Sequence, residues 1–384
     1  MNQLMKVIFI LLVLGCSLIP ITAVCSDWSD LKFKSKKGNF KAEINGAVMA
    51  DYIHYSNAPE KFESGAEVQS LQLSLKLRLA KAVKFKFKYD YSEDEPELKD
   101  CALGFLIGDL AELTIGQFEQ PSSLDGVTSS KEITFMTRAA PIESFLPGRS
   151  QGVNLGIYGD WMVLQFGSYI EYEKDDEDVK LHDHINYSFR NYVFSADEKG
   201  GAFHLGIWGI YGDPVENKYK LEVEPEAKIN AKEILKSGKV KHVNHVTTAG
   251  FETGLIYGPL TAQAEYIHQD YSRFTGYDEF YYNGYYCSFS LMLTGEAKSY
   301  SQKDGAIKSP KPMGEYGAFE IAVRSSNVDM THYNRDRGEM DSYTLGINWY
   351  LNEGFRMMYN YTQTESTELR EPMKYSQVRL QYAF

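Results

Sequence analysis

Apolar and polar residues alternate along several long stretches of the chain. Between positions 71 and 79, leucine fills every odd position and Gln, Ser, Lys or Arg fills every even one. Positions 83–91 repeat the pattern with Val, Phe and Tyr against Lys and Asp, and positions 343–351 and 355–362 continue it. Because successive side chains of a strand point to opposite faces, each stretch predicts a strand with one apolar and one polar face.

The length and faces of these strands favour a membrane barrel. After position 25, no apolar run reaches the 18 or more residues of a membrane-spanning helix. A transmembrane barrel instead uses strands of about ten residues, apolar toward lipid and polar toward the lumen. Aromatic residues at the strand ends, such as Tyr89, Tyr91, Trp161 and Trp349, favour membrane interfaces over the core of a soluble sandwich. The predicted fold is therefore an all-β, antiparallel transmembrane barrel.

We predict sixteen strands joined alternately by short and long connections, as in barrels with short periplasmic turns and long outer loops. The predicted strands are 38–52, 68–80, 82–91, 99–107, 112–118, 151–158, 161–172, 184–196, 201–212, 247–257, 260–268, 281–293, 315–325, 341–351, 354–363 and 373–384. The even number places both termini on the periplasmic side. One connection, 294–314, falls on the short side and yet has about twenty residues.

The first 25 residues have the pattern of a secretory signal peptide. Lys6 precedes an apolar run from Val7 to Leu14, and Ala23-Val24-Cys25 offers small residues at a cleavage site. A lipoprotein signal, with Cys16 as the lipidated residue, is the alternative. We expect an exported chain with a short basic periplasmic tail at 26–37 and the barrel at 38–384.

Composition narrows the function classes. The 384 residues include 52 acidic and 40 basic ones, a formal net charge of −12, which argues against nucleic acid as a partner. After the signal only Cys101 and Cys287 remain, which fits neither a disulfide scaffold nor a zinc site. No Ser nucleophile pairs with a His in the sequence, so we predict no enzyme activity, no metal and no cofactor.

The third long connection carries a series of short motifs. They are Gly116-Gln117-Phe118, Pro121, Ser129-Ser130-Lys131, Ile133-Thr134-Phe135-Met136, Arg138-Ala139, Pro141, Pro147-Gly148-Arg149 and Gly152-Val153. This series closely resembles the phosphate-selective porin O and P family of Gram-negative bacteria. Leu293-Thr294-Gly295-Glu296 and the stretch 345–352 resemble it too, in the same order.

The resemblance implies a sixteen-stranded, trimeric, anion-preferring porin of the outer membrane. In that family the third outer loop, here 119–150, folds into the lumen and narrows the pore. The fifth loop, 213–246, and the long periplasmic turn, 294–314, are expected to fold inward as well. The implied partners are small anions, outer-membrane lipid, the outer-membrane assembly machinery and two further copies of the chain.

Alternation continues to the last residue. Val378, Leu380 and Tyr382 lie on one face, and the chain stops at Phe384 on the same face. This pattern resembles the C-terminal assembly signal of bacterial outer-membrane barrels, and we assign that role to Phe384.

The polar faces of two neighbouring strands are basic. If the leucine and aromatic faces meet lipid, the lumen wall receives Lys76, Arg78, Lys84, Lys86 and Lys88. Arg and Lys lining a pore favour anions. The alternative is that these cations only balance lumenal acids such as Glu43 or Glu265.

Cations also occur in the connections. Lys131, Arg138 and Arg149 of the constriction loop either contact permeating anions or anchor the loop to acidic wall residues. The fifth loop carries Lys228, Lys232, Lys236, Lys239 and Lys241. These lysines reach the anion path if the loop folds inward, and they belong to a solvated loop if it does not.

The combined prediction is passive diffusion of small anions, phosphate or polyphosphate-like, through a constriction lined by Lys and Arg. Two departures weaken strict phosphate selectivity, which needs several converging donors. Gln69 and Ser70 stand where family members commonly carry paired Arg, and Glu119 stands where Lys is common. A general small-solute porin and a non-conducting outer-membrane adhesin remain alternatives.

Overall fold

The computed structural model describes residues 31–35, 40–80, 82–92, 96–174, 179–197, 200–333 and 335–384. The predicted signal peptide at 1–25 and Lys36 and Lys37 of the basic tail lie outside the described residues.

Sixteen antiparallel strands form one closed barrel, as predicted. They are β1 Phe40–Asn57, β2 Gly65–Leu79, β3 Val83–Asp90, β4 Glu97–Ile107, β5 Ala111–Glu119, β6 Arg149–Tyr158, β7 Met162–Lys174, β8 Val179–Ala196, β9 Ala202–Gly212, β10 Val243–Tyr257, β11 Leu260–Arg273, β12 Phe280–Met292, β13 Ala318–Asp329, β14 Glu339–Tyr350, β15 Phe355–Ser366 and β16 Met373–Ala383. Each strand pairs with the next, and β16 pairs with β1 to close the ring. A short strand, Lys32–Lys34, adds to the start of β1.

The two faces of each strand have the polarity expected for a membrane barrel. In β9, Phe203, Leu205 and Ile207 are exposed on the outside, whereas His204 between them is 1% exposed. In β16, Leu380 is exposed and Arg379 is buried. Apolar residues therefore face outward toward lipid, and the buried polar residues face the lumen.

Several strands extend further outward than predicted. β1 continues to Asn57 instead of position 52, and β10 begins at Val243 instead of 247. The outer ends of these strands carry Tyr, His and Asn in place of regular apolar residues, so the alternation no longer marks them. Backbone pairing with neighbouring strands nevertheless continues, because each unpaired N–H or C=O group would cost free energy. The first outer connection is consequently 58–64, shorter than the predicted 53–66.

Three connections are long. We call them loop 3 (residues 120–148), loop 5 (213–242) and the periplasmic turn (293–317). Loop 3 holds two short helices, α1 Leu124–Val127 and α2 Ala140–Phe145. Loop 5 contains two small strand pairs, and the periplasmic turn contains a hairpin of Ser299–Ser301 with Ala306–Lys308. No helix in the described part of the chain has the length and apolar character needed to cross a membrane.

The largest apolar core lies inside the barrel, between loop 5 and the wall. Leu221, Val223 and Leu235 of loop 5 pack in one cluster with α2 of loop 3 and with the inward faces of strands, including Tyr271 and Tyr375. Loop 5 is therefore a packed element with a core of its own, and this core positions loop 3 beside it.

Candidate functional site

Five cations share one inward face of β2 and β3, and we call them the basic wall. Lys76 pairs in register with Lys86, and Arg78 pairs with Lys84. Residues directly opposite in neighbouring strands point to the same side of the sheet. Lys88 lies two residues beyond Lys86 on β3 and therefore shares this face.

The basic wall is only partly neutralised. Lys84 Nζ lies 2.8 Å from Glu112, and Lys86 Nζ lies 3.1 Å from Asp100. Among the described residues, no carboxylate lies within 4.0 Å of the other three cations, which are Lys76, Arg78 and Lys88.

Of the two acids suggested as balancing partners, Glu43 of β1 lies directly opposite Lys76 and is its electrostatic neighbour, whereas Glu265 lies on β11. Glu43 lies 2.5 Å from Lys41, and Glu265 binds loop 3. Lys76 and Arg78 are exposed to solvent. The five cations of the wall thus outnumber the three acids beside them, which are Glu43, Asp100 and Glu112.

Loop 3 contacts strands on the other side of the ring from β5 and β6, where it begins and ends. Glu265 of β11 accepts hydrogen bonds from Ser123 Oγ at 3.0 Å and from the backbone N–H groups of Leu124 and Asp125 at 3.1 and 2.8 Å. These N–H groups belong to the start of α1, where backbone donors lack partners within the helix. A lumenal carboxylate therefore holds the first helix of loop 3.

The middle of loop 3 is held by donors from β14 to β16. Arg356 Nη1 donates to Ile133 O at 2.8 Å, and Asn348 Nδ2 donates to Thr134 O at 2.9 Å. Gln381 Nε2 donates to Lys131 O at 3.0 Å. These contacts place loop 3 against the inward faces of β11 and β14 to β16.

Arg138 connects parts of loop 3 with each other. Its guanidinium donates to the carbonyls of Asp125, Gly126 and Thr128 at 3.0, 3.0 and 2.8 Å. It also lies 4.0 Å from Glu119 and 3.9 Å from Glu143. Arg138 therefore stabilises the fold of loop 3 by holding its own segment against α1.

Arg149 and Lys131 differ in their partners. Arg149 donates to Asp100 at 3.3 Å and to Glu119 at 2.9 Å, and so ties the end of loop 3 to β4 and β5. The Lys131 side chain has no carboxylate within 4.0 Å among the described residues, and it is an electrostatic neighbour of Lys76. Lys131 therefore lies near Lys76 of the basic wall, and Arg149 lies near Lys86 and Lys88, since it shares Asp100 with Lys86 and is an electrostatic neighbour of Lys88.

The loop 5 lysines separate into one that contacts loop 3 and four that do not. Lys228 Nζ lies 2.8 Å from Glu143 of loop 3. Burial raises the pKa of Glu143, but Lys228 and Arg138 outweigh it and hold the pKa below its ordinary value. The other four, Lys232, Lys236, Lys239 and Lys241, are exposed.

The periplasmic turn also reaches the basic wall. Arg190 of β8 donates to Asp304 O and Gly305 O at the tip of the turn, both at 2.8 Å. Lys303 Nζ lies 2.6 Å from Glu112, the carboxylate that also binds Lys84. Lys303 is thereby added to the cations at this wall.

Sequence reasoning did not single out a group of buried arginines that hold the interior together. Arg190 binds Glu252 at 2.9 Å, Arg324 binds Glu226 at 2.5 Å, and Arg379 binds Asp51 through two bonds of 2.7 Å. The alternation in their strands indicates that they face inward. Their partners lie far away in the chain, so no sequence signal distinguished these anchoring cations from the basic wall.

Comparison with known protein families shows to which family the chain belongs. The sequence pattern of the family described as phosphate-selective porin O and P matches residues 42–384. The chain belongs to this family. The match covers almost the whole barrel and confirms the resemblance seen between positions 116 and 153. The chain is therefore an outer-membrane porin, and family membership indicates a channel, not an enzyme.

Solved structures share the fold of this porin at low sequence identity. They include a trimer form of OmpT, an outer membrane protein of Vibrio cholerae, with a TM-score of 0.57, 11% identity and coverage of 90% of this chain and 99% of that one. An anion-selective porin from Comamonas acidovorans has a TM-score of 0.54, 13% identity and coverage of 90% and 100%. OmpF of Salmonella typhi, in complex with daunomycin, has a TM-score of 0.56, 9% identity and coverage of 92% and 100%. No curated protein matches the chain.

Within the ranges that the structure describes, no group of three or more His, Cys, Asp and Glu side chains is positioned to hold a metal ion. The chemistry of the site is that of fixed charges and hydrogen bonds along a lumen.

Proposed function

We propose that this porin carries out passive diffusion of small anions along the basic wall. The observation that carries the proposal is the inward face of β2 and β3, on which Lys76, Arg78 and Lys88 have no carboxylate within 4.0 Å among the described residues. Cations lining a narrow aqueous path attract anions and repel cations. No chemical step is needed, because the concentration gradient drives transport.

The overall acidity of the chain does not oppose this proposal. The formal net charge is −12, but low-dielectric walls focus the field of the nearest charges inside a lumen. Lys131 of loop 3 and Lys303 of the periplasmic turn add positive charge beside the wall. We propose that loop 3, held through Glu265 and Arg356, forms the constriction that keeps permeating anions close to these lysines.

Small anions such as phosphate are the proposed solutes, with preference over cations as the main selectivity. Cβ atoms of directly opposite residues lie about 4.5–5.5 Å apart. The opposite pair Lys76 and Lys86 thus allows two ammonium groups to converge on one anion. Lysines contribute point charges, whereas bidentate recognition of phosphate is typical of arginine. General anion passage is therefore better supported than strict phosphate selectivity.

We propose a homotrimer in the Gram-negative outer membrane as the working form. A trimer form is described for the fold neighbour from Vibrio cholerae, and anion selectivity is described for the one from Comamonas acidovorans. Export by the N-terminal segment and assembly through Phe384 belong to the same proposal.

Planar-bilayer recording with purified full-length protein tests the anion path. The reversal potential in a potassium chloride gradient should indicate anion preference, and phosphate and pyrophosphate should carry current when they replace chloride. The triple variant Lys76→Glu, Arg78→Glu and Lys88→Glu reverses the three cations that lack a carboxylate. We expect the reversal potential to move toward cations, with the chloride-to-potassium permeability ratio falling about tenfold or more.

A matched control reverses three exposed lysines of loop 5, Lys232→Glu, Lys239→Glu and Lys241→Glu, which changes the net charge equally without touching the basic wall. We expect a much smaller change there. Equal effects of the two variants would mean that selectivity follows net charge and not the wall. Absence of any conductance would favour the non-conducting adhesin.

A further inference from the structure

A cavity of about 370 Å³ lies inside the barrel, apart from the basic wall. Its walls are the end of loop 3, the beginning of loop 5 and the inward faces of β8 to β11. We call it the vestibule cavity, because its wall residues come from the outer ends of these strands. Its volume is within the range of about 300–1,000 Å³ that is common for small-molecule sites.

Apolar and polar residues contribute about equally to the wall of the vestibule cavity. Phe145, Leu146, Ile210, Pro214 and Val246 line it. Phe145 is 3% exposed and Ile210 is 8% exposed, so packing against neighbouring residues holds their side chains in place. The apolar residues of this wall can bind an apolar group by removing its surface from water.

The neutral polar groups of the cavity already have partners within the protein. Gln269 Nε2 donates to Thr248 Oγ1 at 2.8 Å. Gln120 Nε2 donates to Ser150 Oγ at 2.9 Å. Ser150, Thr248 and Gln269 are thus engaged within the protein, whereas Gln120 Oε1 has no hydrogen-bond partner among the described residues.

Arg149 is the one charged residue among the described residues that line the cavity. Its Nε and Nη2 atoms bind Asp100 and Glu119, and its Nη1 atom has no hydrogen-bond partner among the described residues. Lys88 is its electrostatic neighbour, and Lys86 shares Asp100. Three cations thus face two carboxylates, which leaves one positive charge at this edge of the cavity.

We propose that the vestibule cavity binds small organic carboxylates with an apolar body, such as aryl-substituted acids. The apolar body packs against Phe145, Ile210 and Val246, and the carboxylate faces Arg149, whose electrostatic neighbour is Lys88. The site lies between the outer side and the basic wall, so it concentrates such acids at the entrance of the anion path. This inference rests on the proposed anion function and names a solute class for it.

Current blockade in planar bilayers tests the solute class with three probes. Phenylacetate has both the apolar body and the charge, acetate has the charge alone, and benzyl alcohol has the apolar body alone. We expect phenylacetate to bind at least about tenfold more tightly than either of the other two, which corresponds to about 1.4 kcal/mol. Equal blockade by phenylacetate and acetate would overturn the proposal.

Two variants locate the binding. Val246→Phe fills the cavity, and Ile210→Thr makes its wall polar while keeping a β-branched residue in the strand. Each should lower the ratio of phenylacetate to acetate affinity by at least about threefold. The matched control is Val163→Thr, an inward-facing valine of β7 that packs beside Tyr192 and Phe194, outside the cavity. An equal fall of the ratio in this control would also overturn the proposal.

The outcome separates this inference from the proposed function. If the wild-type reversal potential shows no anion preference, the proposed function fails. If anion preference is present but phenylacetate and acetate block equally, only the vestibule cavity proposal fails. Should Val246→Phe not fold, Ile210→Thr still provides the test, with heat-modified mobility on gels as the check for a folded barrel.

Discussion

Individual buried charged residues affect the stability of this porin and its dependence on pH. Asp125 of α1 is enclosed by loop 3 and the wall, and burial raises its pKa although Arg138 and Arg324 act in the opposite direction. A carboxyl whose pKa is higher in the folded state favours folding when it is protonated. Its contribution to stability is therefore full below the ordinary Asp pKa and is lost as the pH rises through the raised value.

Asp125→Asn should consequently stabilise the barrel at pH 8, because Asn keeps the shape and a hydrogen-bond acceptor without the buried charge. We expect the melting temperature in detergent to rise by a few degrees at pH 8, on the order of 1 kcal/mol. The difference from the unaltered protein should disappear toward pH 3. Asp109→Asn, in an exposed short turn, is the control and should change nothing. A lower melting temperature for Asp125→Asn at pH 8 would contradict the assignment.

Residue by residue, the alternation predicted the position of the basic wall but not its electrostatic state. Lys76 and Lys84 have the same surroundings in the sequence, a cation between apolar neighbours. The structure pairs Lys84 with Glu112 and leaves Lys76 without a carboxylate within 4.0 Å among the described residues. Glu112 comes from a strand two positions further along, so the distinction depends on register and barrel curvature.

One buried carboxylate, that of Glu226, binds both loop 3 and the barrel wall. Glu226 of loop 5 accepts hydrogen bonds from Ala140 N of loop 3 at 3.1 Å and from Arg324, Ser326 and Thr344 of the wall at 2.5, 2.6 and 3.1 Å. Both loops are therefore fixed to β13 and β14 at one point. Burying such a pair is costly, and removing one member leaves an uncompensated charge.

Glu226→Gln should loosen both loops together, because an amide nitrogen would face the Arg324 guanidinium. The expected loss is on the order of 3–5 kcal/mol of local docking energy. Single-channel recordings should show a larger mean conductance and more current noise than the unaltered protein. Glu233→Gln in the same loop, whose carboxylate pairs with exposed Lys236, serves as the control. Unchanged conductance and noise in Glu226→Gln would show that the loops are held by their apolar core alone.

The whole barrel closes where its last strand, β16, pairs with its first strand, β1. Gly46 and Phe384 exchange backbone hydrogen bonds, Gly46 N to Phe384 O at 3.0 Å and Phe384 N to Gly46 O at 3.1 Å. A Cβ atom at Gly46 would come within 2.4 Å of the Phe384 ring, so the aromatic ring lies directly over the glycine. The ring of Phe384, which we propose as the assembly signal, therefore packs on Gly46.

Gly46→Val should displace the Phe384 ring and hinder closure between β1 and β16. We expect severalfold less folded porin in the outer membrane of expressing cells, measured by heat-modified mobility on gels. Ala50→Val, at a position on the same face of β1 that is already exposed, is the control and should assemble normally. Normal assembly of Gly46→Val would separate the ring position from the assembly signal.

Alternation in the sequence was enough to predict the sixteen strands, their outward and inward faces and the placement of five cations on one face. It was sufficient because alternation is a local property that lipid on one side and water on the other impose on each strand.

Which charges pair, where loops 3 and 5 are held and the presence of a cavity beside Arg149 follow only from the tertiary structure. Those features depend on contacts such as Arg379 with Asp51, separated by 328 positions, which exist only after the ring has closed.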